Sequence, residues 1–287
     1  MRRHGLDEQG DAVMATAVML FALMLSLGSS FLLNYGEVSG KENEMHHLTE
    51  IDSSFMRIRN SMLKLTRSED TSTSIMNRMT LGTPGNPYIG MARSSGEFSM
   101  DPDPNHFKME VVLEDGATDP VLNSVSGSMY YRGNNYYFND QDYYFEAGGI
   151  FINEYDFITR SVMPSVLIQQ TQTGWIMEME AYDLSSSAWT VTGIETLALR
   201  INMAGSFSNV ITPFPGQIIS LRVNSPNEQA WAAGFREVLR IQGLVEGVDF
   251  SLDEPVDWTD PGDHLEVDLL TPENFQFNVG QMEVSLI

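Results

Sequence analysis

His46 and Glu50 stand four residues apart, the spacing that puts two side chains on one helix face, and with the adjacent His47 they form the first candidate for metal ligation. A structural or catalytic metal takes three or four protein ligands, so two solvated histidines are the plainer reading. Asp257, Asp260 and Asp263 in "DWTDPGD", and Asp101 with Asp103 in "DPDPN", offer hard oxygen ligands between turn residues, the raw material of a Ca2+ site. Neither stretch follows the D-x-[DN]-x-[DN]-G pattern with a distant Glu, and a chain this acidic produces such clusters by chance. Solvated acidic turns are therefore favoured, with the three aspartates 257, 260 and 263 kept as weak metal candidates. The tyrosine pairs 130/131, 136/137 and 143/144 could build a platform for a surface glycan. Adjacent residues of a strand point to opposite faces, however, so cross-strand packing is the better account of them.

Catalysis finds little support. The chain has no cysteine, no G-x-S-x-G, no H-E-x-x-H and no G-x-x-x-x-G-K-[ST], and beyond the N-terminal segments its histidines are His106 and His264. A paired-carboxylate hydrolase has no motif behind it, because 31 acids after residue 67 always contain some pair. The expectation is a non-enzymatic protein without a cofactor.

The elements that must carry these residues begin with Ala12 to Leu33, 22 residues without a charged side chain. At about 1.5 Å per residue such a helix reaches roughly 33 Å, enough for a hydrocarbon core of about 30 Å. Its polar members Thr16, Ser26, Ser29 and Ser30 can bond back to their own helix. A cleaved secretory signal is the competing reading, but "SLGSSFLLNYG" is a poor cleavage region. Arg2 and Arg3 precede the span, which predicts a cytoplasmic tail over 1–11, a transmembrane helix over 12–35 and everything later outside the cell membrane. From 36 to 67 the pattern stays helical: Leu48, Ile51, Phe55, Ile58, Met62 and Leu65 recur at steps of three and four, a packing stripe for an amphipathic stalk, with Gly36 and Gly40 marking an expected bend.

This N-terminal segment, "QGDAVMATAVMLFALML", resembles that of the archaeal type IV pilin-like proteins, and the chain is most similar to large single-span members with a β-rich ectodomain. The likeness extends to "YYFEAGGIFI" (143–152), "VMPSVLI" (162–168) and a late helix around Trp231 and Phe235. It implies processing by a prepilin peptidase after Gly5 or Gly10, although His4 or Gln9 stands where the family has a basic residue before the cleaved glycine. It also implies contacts with other pilin-like subunits through the N-terminal helix, and an adhesion or accessory role, with a filament subunit as the alternative. A surface hydrolase or glycan-binding enzyme is the remaining, weaker alternative.

Composition bounds the rest. The 220 residues from 68 to 287 suffice for a substantial core, and they carry 9 Lys and Arg against 31 Asp and Glu, so nucleic acid is excluded as a partner. The lipid bilayer is the expected one. Short β segments separated by Gly and Pro breakers predict an α+β fold: a long N-terminal helix followed by a mainly antiparallel, sandwich-like domain. Within it Met129 to Tyr131 and Tyr136 to Phe138 flank "RGNN" as a hairpin, Tyr143 to Ile152 reads as one strand, and Phe275 to Asn278 and Met282 to Ile287 as two. One helix interrupts the strands from about Pro226 to Gln242. Ser225 and Glu228 form its capping box, Gly243 its stop, and Trp231, Phe235, Val238 and Leu239 its buried face.

Overall fold

The computed structural model describes all residues except 1–3, 90, 115, 117, 155–156, 256–263 and 271. Its first element is a single helix α1 (His4–Ser68) of 65 residues. From Val13 to Leu32 the large apolar side chains are 44–73% exposed, and this part is long and apolar enough to cross a membrane. The second part of the helix is of opposite character: Leu48, Ile51, Phe55, Ile58, Met62 and Leu65 are all buried. Helical assignment passes through Gly36 and Gly40 without a break, so the expected bend is not needed. Both glycines are buried, and a Cβ on Gly40 would lie 2.3 Å from the Tyr137 ring. Here glycine permits close packing.

The remainder is β-rich, in three sheets rather than the two of a simple sandwich. The first runs β1 (Ser74–Thr80), β12 (Thr196–Ile211), β16 (Pro272–Leu286), β10 (Trp175–Leu184) and β9 (Ser165–Gln170). Neighbours in it are antiparallel except β10 and β16. That exception is forced, since a strand inserted between two antiparallel strands must run parallel to one of them. The second sheet is β11 (Trp189–Gly193), β2 (Ser95–Asp101), β5 (Ser128–Asn134), β6 (Asp142–Glu146), β7 (Gly149–Glu154) and β8 (Phe157–Val162). The third is β14 (Phe250–Asp253), β15 (Leu265–Leu269), β13 (Ile218–Asn224), β3 (Lys108–Glu114) and β4 (Val121–Ser126).

Two hydrophobic cores result. The stripe of α1 packs with Met79, Leu199, Ile201 and Val284 of the first sheet and with Phe98, Met129, Tyr143 and Ile150 of the second, so the helix is the centre of one core. The other gathers Met177, Phe275 and Phe277 of the first sheet, Leu221 and Val267 of the third, and the inner face of α2 (Glu228–Ile241). β16 links them: Met282 and Val284 belong to the helix core, Gly280 faces Thr66 near the end of α1, and Phe275 and Phe277 lie in the second core. The sequence suggests two strands there, but the chain stays extended through Gly280, where a side chain would collide with Thr66.

Two further expectations need correction. Residues 143–152 are a hairpin, not one strand: Ala147 (φ 48°) and Gly148 (φ 94°) make a two-residue turn, with Glu146 opposite Gly149. Positive φ at both centres matches the right-handed twist of the strands, which is why so short a turn closes here. The hairpin at Met129 to Tyr131 pairs with β6, not with residues 136–138, because the backbone of that tripeptide is engaged elsewhere, as described below. α2 keeps its stop, but it begins at Glu228 with Asn227 as N-cap and no side-chain cap bond, two residues later than the sequence suggests. The Glu228 carboxylate accepts from the Ser225 N–H at 3.2 Å. At the other end Gly243 (φ 92°) donates to the Arg240 carbonyl and Leu244 to that of Leu239, a Schellman stop.

Candidate functional site: the seat of the long helix

The β domain grips α1 through polar contacts as well as the apolar stripe. Glu44, one turn before Leu48 and 1% exposed, sends its carboxylate to the loop after β5, where Oε1 accepts from the Tyr136 N–H at 2.8 Å and Oε2 from those of Tyr137 and Phe138 at 2.7 Å each. Three successive backbone donors converge on one anion, an arrangement that both fixes the loop and compensates the desolvated charge. This is what occupies residues 136–138 in place of strand pairing. Glu44→Ala should therefore leave three donors without their acceptor and lower stability by about 2–4 kcal/mol, measured as a shift of the denaturant midpoint in detergent.

One turn further on, the Tyr131 hydroxyl donates to the Leu81 carbonyl at 2.9 Å, so its lone pair accepts from His47 Nε2 at 3.1 Å. That fixes the proton on Nε2. His47 is buried, correcting the expectation that both histidines are solvated, and burial holds its pKa below the ordinary value. Tyr143 donates to the Leu48 carbonyl at 3.1 Å, and its ring stacks on Phe55, which also meets Phe98 edge-on. Arg59 then reaches the turn of the β6–β7 hairpin, its Nε donating to the Gly148 carbonyl at 2.9 Å and Nη2 to that of Met163 at 3.2 Å.

The same hairpin holds the second buried carboxylate. Glu146, 0% exposed, accepts from Ser225 Oγ at 2.7 Å, Trp231 Nε1 at 2.7 Å and Asn227 Nδ2 at 2.8 Å. These donors sit at the start of α2, so one buried carboxyl group ties that helix to the hairpin that Arg59 ties to α1. Burial pushes the Glu146 pKa up, opposed by the three hydrogen bonds.

The other sequence candidates fare differently. His46 and Glu50 are exposed and 3.6 Å apart. Asp101 meets His106 Nδ1 at 2.5 Å, and Asp103 accepts from the Asn105 N–H at 2.9 Å, so these acids hold a turn. Asp257, Asp260 and Asp263 lie outside the described residues, and Gly5 and Gly10 fall in the first turns of α1. Tyr130 stacks on Tyr144, and Tyr131 meets Tyr143 edge-on, as expected of cross-strand pairs. A group not singled out in the sequence is Glu114, Glu266 and Asp268 on β3 and β15. Arg222 of the intervening β13 already serves it, at 3.0 Å from Glu114 and 2.5 Å from Glu266. Burial and the neighbouring carboxylates raise the Glu114 pKa. Only the strand register brings these residues together, and no spacing in the sequence announces it.

The arrangement defines a class of protein by its architecture: a β-rich domain built around one half of a helix whose other half presents apolar residues on every side. No protein family, curated protein or solved structure matches this chain.

Proposed function

We propose that this is a non-enzymatic, pilin-like protein of the cell surface, held by one span over residues 12–33, with its N-terminus in the cytoplasm and its β domain outside. In that position it serves adhesion or an accessory role. The observation that carries the reading is the unbroken helix: its exposed apolar half suits lipid, and its buried half is the centre of the domain's core. A permanent anchor is favoured over a bulk filament subunit because the heptad-like stripe is consumed inside one molecule. Packing against copies is left to the first half of the helix and to faces that carry Glu37, Lys41, Glu42 and Glu50.

Protease added to intact cells should digest epitopes after Ser68 and spare the first residues. A C-terminal region protected until lysis would defeat the orientation. The filament alternative is decided by the N-terminal residue of the protein taken from cells: cleavage after Gly5 or Gly10 would favour it, and an intact or Met-trimmed start the anchor.

A further inference from the structure

The β domain begins to cover α1 almost immediately after the span. Gly36 and Gly40 are buried, three and seven residues past Leu33, hence about 4.5 and 10.5 Å further along the helix axis. The headgroup layer on each side of a bilayer is about 5–7 Å thick, so Gly36 lies within that layer and Gly40, where Tyr137 packs, about 4–5 Å beyond it, within reach of a tyrosine side chain directed back toward the span. Two loops make this contact. The turn Pro87–Ile89 touches α1, and Tyr137 lays its ring on Gly40 while its hydroxyl accepts from the Ala92 N–H at 2.9 Å, tying the loops together. Each loop carries a tyrosine pointing away from the core: Tyr88 is 90% exposed and Tyr136 71%. On the helix itself Tyr35 is half exposed and stacks on Phe31.

Tyrosine concentrates at the membrane interface, where the ring meets apolar chain and the hydroxyl meets water. We propose that Tyr88 and Tyr136, with Tyr35, form a rim that rests in the headgroup layer, so that the domain stands on the bilayer surface instead of on a stalk above it. This rests on the membrane-anchored reading above. The occupant of the rim is a lipid surface, because Tyr35 directly follows the span and stacks on Phe31 within it, and the loops carrying Tyr88 and Tyr136 pack on the helix that emerges from it. A domain carrying a net charge of -22 after residue 67 favours zwitterionic headgroups over anionic ones.

The absence of cysteine makes the test direct. Single variants Tyr88→Cys, Tyr136→Cys, Leu25→Cys and Phe214→Cys of the full chain, each with one fluorophore, are placed in phosphatidylcholine vesicles containing a headgroup-nitroxide lipid. Phe214 follows β12 at its far end, where Ile211 pairs with Phe275 in the second core, and serves as the distant reference. The labels at 88 and 136 should lose about half their emission or more, and the label at 214 should keep it. Unquenched labels at 88 and 136, with the Leu25 label in an apolar environment, would overturn the rim and leave the anchor standing. A Leu25 label in water would overturn both.

Discussion

Phe55→Asp is expected to unfold the helix core, at a cost of about 5 kcal/mol or more, the size of a small domain's whole stability. Phe55 is 0% exposed and its ring contacts Phe98 and Tyr143 from the sheet that covers the helix. Truncating so large a ring removes about 3–5 kcal/mol through lost burial and the cavity left behind. The new carboxylate would then sit among Ile51, Ile58 and Met129 with nothing to pair it, which adds desolvation. Phe55→Leu keeps most of the apolar volume and should cost about 1–2 kcal/mol. Thermal or denaturant unfolding of the chain in detergent ranks the two variants, and an Asp variant with an unchanged midpoint would mean that the stripe is solvated.

Glu146→Ala carries the second large effect. It leaves the Ser225 hydroxyl, the Trp231 indole N–H and the Asn227 amide without their acceptor in a site from which water is excluded, at about 1–3 kcal/mol for each stranded donor. A total near 4 kcal/mol is expected, with loss of fixed Trp231 fluorescence as the local sign. Glu146→Gln should cost far less, because a reversed Asn227 amide can offer its oxygen to the new N–H groups. The two variants also differ in pH dependence. The folded-state pKa of Glu146 lies above its ordinary 4.5, so the native state holds the proton longer than the unfolded chain. Its contribution is full below pH 4.5 and is lost as pH rises through the folded pKa; the Gln variant lacks that fall.

What was legible in the sequence is what depends on local spacing. Leu48 to Leu65 repeat at three and four, and Gly243 is a signal read within one turn, so the seat of α1 and the stop of α2 are legible, whereas the start of α2 falls at Glu228 with Asn227 as N-cap, two residues past the Ser225–Pro226 signal. Contacts between distant residues were not legible. Glu44 looks like one more charge on an exposed helix face until residues 136–138 fold onto it, and Glu146 looks like a strand terminus until the start of α2 arrives 79 residues later. The "RGNN" hairpin is misplaced for the same reason: Arg132 to Asn134 continue β5, the connection to β6 runs over 135–141, and a distant carboxylate claims the N–H groups of 136–138. Gly40 shows the converse, since glycine in a helix marks a bend or a close approach, and only the position of Tyr137 decides between them.

The proposal divides α1 in two: residues up to 35, long and apolar enough to cross a membrane, would serve as the anchor, and those from 36 onward belong to the domain. Alkaline extraction of cell membranes carrying either the intact chain or one lacking residues 1–35 tests it most directly. The intact chain should stay with the membranes, while the shortened one should be soluble and should melt within a few degrees of the intact protein in detergent. Release of the intact chain by alkali, or a shortened chain that cannot fold, would contradict the account.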